Sequence, residues 1–192
     1  VLQLMAASST LDRRRDEMNM TNATPASPLS MSATPAAANA SSASSASAEI
    51  RRASAGDLAS IERLLSENNL PTLGVADALR GFLVAEHAGI IVGVVGVEEV
   101  GGYGLLRSTA VRSEWRSRGL GRQLVERAIA ESEARGVKAL YLLTTTAERY
   151  FPSFGFTVIE RDEVPDPVKT TGEFCTACPE SAIVMARELG AP

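Results

Sequence analysis

From residue 49 onward the chain alternates between two hydrophobic periods. Leu58, Ile61, Leu64 and Leu65 recur at helical spacing, and Pro71 closes that region. Ser54 followed by Asp57 just ahead of them resembles a capping pair, with Asp in place of the usual Glu or Gln. Ile50 to Ala53 reads as a preceding strand, and Val75 to Arg80 as a second short helix. Phe82 to His87 and Ile90 to Val100 are β-rich and separated by Ala88-Gly89, which predicts a hairpin. Gly93 and Gly96 within the second strand permit a bulge or the close approach of another backbone. After the Gly101-Gly102-Tyr103-Gly104 loop, Leu105 to Val111 is an apolar strand. Leu120, Leu124, Val125, Ala128 and Ile129 then give a long helix one sheet-facing stripe. Lys138 to Thr145 predicts a buried strand, Ala147 to Phe154 a short helix and Phe156 to Arg161 a further strand. A loop rich in Pro, Asp and Thr leads to a last strand, Ala182 to Arg187.

The first 48 residues follow neither period. From Ala6 to Ala48 the chain is mostly Ser, Ala, Thr, Asn and Pro, interrupted by Arg13-Arg14-Arg15. Few large apolar side chains are present to offset ordering entropy, so the segment 1–48 is expected to be disordered and 49–192 to fold as one domain. A signal peptide's continuous apolar core is missing. Val1 in first position points to an alternative start codon or a gene fragment, with Met18, Met20 and Met31 as candidate starts.

Composition narrows the function classes. A chain of 192 residues, 45% hydrophobic, supports one ordinary core. Its formal net charge of −4 argues against non-specific nucleic-acid binding, so clustered arginines are better explained by a small anionic ligand. Ile90 to Val97 is far too short to span a membrane. The expectation is a cytoplasmic protein with neither a nucleic-acid nor a membrane partner. His87, the only histidine, sits beside a hairpin turn and reads as a solvated residue rather than a base.

The candidate chemistry gathers where the apolar strand meets the long helix, at Arg116-Ser117-Arg118-Gly119-Leu120-Gly121. A helix N-terminus presents free N–H groups and a positive dipole end. With glycines for close approach and arginines nearby, this is an anion site, most simply for a pyrophosphate. R-x-x-G-x-G after a strand and before an amphipathic helix resembles the acyl-CoA-binding motif of the GNAT superfamily of N-acetyltransferases. The resemblance covers about Glu49 to Leu189 and implies an α+β fold, with a mixed central sheet flanked by helices. Its fourth and fifth strands splay apart to admit the pantetheine arm. It implies acetyl-CoA as co-substrate, held by Arg116, Ser117, Arg118, Gly119, Leu120, Gly121 and Arg122. It also implies that Thr109, Ala110 and Val111 lend backbone groups to the pantetheine and the acetyl carbonyl. Ser117 stands where the family usually has another glycine.

The same resemblance frames catalysis as direct attack of an amine on the thioester, without a covalent enzyme intermediate and with no metal. Many relatives place a tyrosine four residues before the Gly155-Phe156 pair to protonate the leaving thiolate; here that residue is Phe151, and Tyr150 is its neighbour. Either Tyr150 or water acts there, or no acid is needed. Thr144 stands where many relatives carry asparagine and is, with Arg107, a substrate-binding candidate. Arg107 lies inside the apolar strand and shares a face with Thr109 and Val111 by simple alternation. A guanidinium there needs a partner: the carboxylate of an amino-acid-like acceptor, or an internal pair with Glu98 or Glu99. On the acceptor reading Glu98 is the candidate general base.

Gly104 to Val111, Leu140 to Glu148 and Thr171 to Ala182 further resemble the arsenic-resistance subgroup of these acetyltransferases, which implies an amino-acid-like toxicant as acceptor. Cys175 and Cys178 form a Cys-x-x-Cys pair, read either as a soft-metal, arsenic or redox site or as two unpaired thiols. Three classes stay open: a small-molecule amine acetyltransferase, a CoA-binding sensor without turnover, and an arsenic-binding protein acting through the cysteines. A homodimer is compatible with all three.

Overall fold

The computed structural model describes residues 47–177, 179 and 181–190. Within them Glu49–Arg52 is β1, Leu58–Glu67 α1, Val75–Ala78 α2, Phe82–His87 β2, Ile90–Val100 β3 and Tyr103–Val111 β4. Leu120–Ala134 forms α3, Ala139–Thr144 β5, Thr157–Ile159 β6, Asp166–Lys169 α4 and Ile183–Glu188 β7. The expected disordered segment 1–48 lies outside the described residues except at its end. There Ala48 already packs against the core, and the Ser47 carbonyl lies 3.1 Å from His87 Nδ1.

The seven strands form one mixed sheet in the order β1-β2-β3-β4-β5-β7-β6. Every neighbouring pair is antiparallel except β4 and β5, which run parallel. Their ladder has two rungs, Gly104 with Leu140 and Leu105 with Tyr141, and beyond them the strands part. The β5-facing edge of β4 from Leu106 to Val111 therefore has no ladder partner, and a fork opens in the middle of the sheet.

Helix α3 covers one face through Leu120, Leu124, Val125, Ala128 and Ile129, packed with Leu83, Val95, Leu106 and Val111. Helix α1 covers the other through Ile61, Leu64 and Leu65, against Phe82, Val84, Val94 and Ala110. The α1 entrance is capped as its sequence predicts. The Ser54 amide and hydroxyl both donate to Asp57, each at 2.8 Å, and Arg51 adds a paired guanidinium on the same carboxylate.

Three local readings change. Ala147 to Phe154 does not wind as a helix; only Phe151–Phe154 makes a 3₁₀ turn. Pro152 removes a donor there, and Gly155, left-handed at φ 82°, ends it at once. The loop before β7 instead contains α4 and a wide turn over Glu173–Ala177.

The third change lies in β4. Gly96 opposes Arg107 and Val94 opposes Ala110, so Val95 faces two residues, Ser108 and Thr109. That is a β-bulge, with Ser108 in the left-handed region at φ 55°. The extra residue reverses the alternation: Leu106 and Val111 pack on the α3 face while Ala110 packs on the α1 face. Arg107 therefore shares its face with Ala110, not with Val111, which corrects the simple alternation expected from the sequence.

Candidate functional site

The open end of the fork carries the basic turn. Ser113–Trp115 makes one 3₁₀ turn, the chain is left-handed at Ser117 (φ 60°) and again at Gly119 (φ 78°), and α3 begins at Leu120. Gly119 is the N-cap and no side chain caps the helix, so the first amides of α3 keep donor capacity. Leu120 is buried in the core, which leaves its backbone as the part available to the turn. Ser117 manages the left-handed conformation that a glycine would adopt more freely.

The three arginines do different things. Arg116 is a brace: its Nε donates to the Val111 carbonyl at 3.1 Å and its Nη2 to Asn68 Oδ1 at 2.6 Å. It thereby ties the turn to the end of β4 and to the end of α1. Arg118 is exposed and lies over the Trp115 ring, 5.2 Å from its centroid. Arg122 lies over Phe154 at 4.9 Å and donates to Glu126 at 2.8 Å. Arg118 and Arg122 thus place positive charge beside the uncapped helix end. Trp115 also stacks on His87 at 4.8 Å, which gives that histidine a packing role.

The open edge of β4 supplies the second half of the site. The Arg112 amide donates to the Val92 carbonyl, so antiparallel alternation turns Ala110 toward β3 and the backbone of Val111 toward the fork. The Val111 carbonyl is the one Arg116 grips, and its N–H faces the gap. Thr109 is fully buried, and its hydroxyl has no hydrogen-bond partner. An orphaned donor at an unpaired strand edge and an uncapped helix beyond it suit a ligand with polar groups along its length and an anionic end.

Across the fork, Thr144 is buried and its hydroxyl accepts from the amides of Ala147 at 2.9 Å and Thr146 at 3.3 Å, fixing the turn after β5. Tyr150 is half-buried against Phe151 and Phe154. Loss of solvent raises its phenol pKa, so the hydroxyl is a proton donor at neutral pH. Phe151 is fully buried and has no polar function.

On the α1 face Arg107 is 1% exposed, and its guanidinium is surrounded. Nη1 meets Glu98 Oε2 at 2.9 Å, Nε lies 2.8 Å from Glu173 Oε2, and Nη2 donates to the Leu73 carbonyl. Of the two internal partners weighed from the sequence, Glu98 is the one present, whereas Glu99 pairs with Arg135. Glu173 was not anticipated: it lies 66 positions away from Arg107 in a stretch read as plain loop, and no spacing rule reaches that far. Glu98 keeps partial exposure and lines a cavity of about 460 Å³ together with Asp77, Arg80, Glu99, Arg52 and Arg135.

Cys175 is exposed and its thiol donates to the Lys169 carbonyl at 2.9 Å. Its companion Cys178 lies outside the described residues. Among the described residues no three His, Cys, Asp or Glu side chains gather as a metal cluster, and no helix is long and apolar enough to cross a membrane.

Comparison with known proteins adds to this geometry. A model of the acetyltransferase (GNAT) domain matches residues 78–158. An uncharacterized N-acetyltransferase of Chlorobaculum tepidum is 31% identical over 107 residues, 55% of this chain and 66% of that protein. Among solved structures, N-acetylglutamate synthase from Neisseria gonorrhoeae, complexed with coenzyme A and N-acetyl-glutamate, matches with a TM-score of 0.65 at 22% identity. That match covers 74% of this chain but only 35% of the synthase, about a third of its length. The Escherichia coli GNAT protein YhbS in complex with CoA matches at 26% identity with a TM-score of 0.52, covering 58% of this chain and 69% of that one.

Proposed function

We propose that this chain, which has the GNAT fold and matches a model of the acetyltransferase (GNAT) domain over residues 78–158, is an acyltransferase that moves an acetyl group from acetyl-CoA to the amine of a small acceptor. The observation that carries the reading is the uncapped start of α3, flanked by Arg118 and Arg122 and set at the open end of the β4–β5 fork. Two solved neighbours hold coenzyme A, which supports the same ligand here.

On this reading the pyrophosphate sits against the α3 amides, with Ser117 and the two outward arginines beside it. The pantetheine runs from the turn to the open edge of β4 at Val111, and Thr109 and Ala110 border the reactive end beyond it. The Val111 N–H faces the thioester carbonyl and stabilises the oxyanion that forms when the amine attacks. Arg116 holds that amide in place through its carbonyl. The thioester is already activated, so positioning supplies most of the acceleration. Glu98 takes the amine's proton, directly or through water in the cavity it lines. Tyr150 or water returns a proton to the thiolate. Thr144 borders the acceptor from β5.

The acceptor class we favour is amino-acid-like. The cavity beside Glu98 pairs acidic side chains (Asp77, Glu98) with Arg80, a complement for a zwitterion. The likeness of Gly104 to Val111 and Thr171 to Ala182 to the arsenic-resistance subgroup supports an amino-acid-like toxicant as one member of that class.

Titration calorimetry with acetyl-CoA tests the ligand assignment. Gly121→Glu places a carboxylate in the first turn of α3, where it repels and obstructs a pyrophosphate. The Kd should rise about 100-fold, close to 3 kcal/mol. Unchanged affinity in a folded variant would remove the assignment.

A further inference from the structure

The bridge across the fork is the unexplained feature of the α1 face. Arg107 stands on β4 two residues past the last β4–β5 rung, at the branch point. Glu173 comes from the segment leading to β7, which pairs on the far side of β5. The Arg107–Glu173 pair therefore crosses the line of β5 to reach β4. The third arm of the guanidinium takes the carbonyl of Leu73, in the loop between α1 and α2. These two outlying segments also meet directly: a Cβ at Gly172 would lie 3.9 Å from Leu73 Cδ2. Gly74 follows at φ 74°, and a Cβ there would come within 3.4 Å of Arg107 Nη1, so the loop is drawn close over the guanidinium. One buried cation thus holds the sheet and two loops at a single point.

We propose that Arg107 is a positioning residue for the acceptor. Through Glu173 and the Leu73 carbonyl it clasps residues 70–74 and 171–174 over the branch point and sets the opening through which an amine reaches the thioester. It does not itself bind the acceptor's carboxylate, because every nitrogen of its guanidinium already meets a protein oxygen. Glu98, held by the same guanidinium, keeps a fixed orientation toward the cavity. The proposal rests on the acetyltransferase reading.

Two variants test it, Glu173→Gln and Arg107→Lys, in the full chain. The acceptor probe is the best-used member of a panel of the twenty common amino acids, compared with its own carboxamide. With Glu173→Gln the acceptor KM should rise about five-fold or more for acid and amide alike, with the acetyl-CoA Kd unchanged. Hydrogen exchange of amides in 72–75 and 171–175 should quicken about ten-fold, while amides of α3 and β7 keep their protection. Arg107→Lys, which keeps the charge but loses the fork geometry, should repeat this pattern more strongly. A loss in Arg107→Lys that falls on the acid and spares the amide would overturn the clasp and make Arg107 the acceptor's anchor. Unchanged exchange and unchanged KM in Glu173→Gln would also overturn it. If the wild type acetylates none of the panel, the amino-acid reading fails separately, and the exchange measurement alone decides the clasp.

Discussion

Asp57 shows what single residues contribute to the scaffold. Arg51 holds its carboxyl well below the usual carboxylate range, mainly by paired hydrogen bonds, and the Ser54 amide and hydroxyl add to the effect. A carboxylate with a lowered folded pKa adds stability above its unfolded value, near 4, and loses it as pH falls through the folded value. Tm should therefore decline below about pH 4, and Asp57→Asn should flatten that decline while lowering Tm at pH 7. An acid limb as steep in the variant as in the wild type would contradict this origin. Arg80 provides a test of the acceptor class. If it meets the acceptor's carboxylate, Arg80→Ala should raise KM for an amino acid roughly ten-fold and barely change it for the amide. That is the opposite signature to Arg107→Lys. The need for a partner at Arg107 was legible in the sequence, since a guanidinium in an apolar strand must be paired. Glu173 as that partner was not, because only the tertiary fold brings the segment before β7 across β5.

At the scale of elements, the strands and the two main helices follow the hydrophobic periods closely. Leu58–Glu67 and Leu120–Ala134 bury the residues that recur at helical spacing, except Leu58, which is only partly buried. The basic turn was equally legible, since glycine and arginine at fixed offsets ahead of an apolar stripe state both the backbone shape and the charge. The bulge at Ser108-Thr109 was marked only on its partner strand, where Gly93 and Gly96 permit one; neither Ser108 nor Thr109 is a glycine, and the register against β3 is what places the extra residue. It puts Arg107 and Val111 on opposite faces of one strand, which separates the two roles that the proposed function gives them. The expected helix after β5 failed for a local reason, Pro152 and a left-handed Gly155 within five residues. The packing of β3 on the turn before β2 offers a further test. A Cβ on Gly81 would lie 1.9 Å from the Val97 carbonyl oxygen, a backbone atom held in the sheet. Gly81→Ala should destabilise the domain by about 1–3 kcal/mol in chemical denaturation, and a neutral result would mean that the 79–81 turn moves freely.

For the molecule as a whole, the sheet gives the chemistry its place. Five of the six strand pairings are antiparallel, and the sixth, the short parallel ladder of β4 and β5, is what opens the fork. The fork, the turn into the uncapped α3 and the Arg107 ion pairs on the α1 face all adjoin one strand, β4, so under the proposed function a single element would hold the donor, the oxyanion amide and the acceptor wall. Ligand binding at such a junction should stabilise the entire domain, raising Tm with acetyl-CoA concentration in the manner of mass action. The direct measurement is thiol release from acetyl-CoA with and without each amine of the panel, the product identified by mass spectrometry. Amine-dependent release with an N-acetylated product is the outcome the proposed function predicts. Tight acetyl-CoA binding without release on any amine would contradict it and leave a CoA-binding sensor in its place.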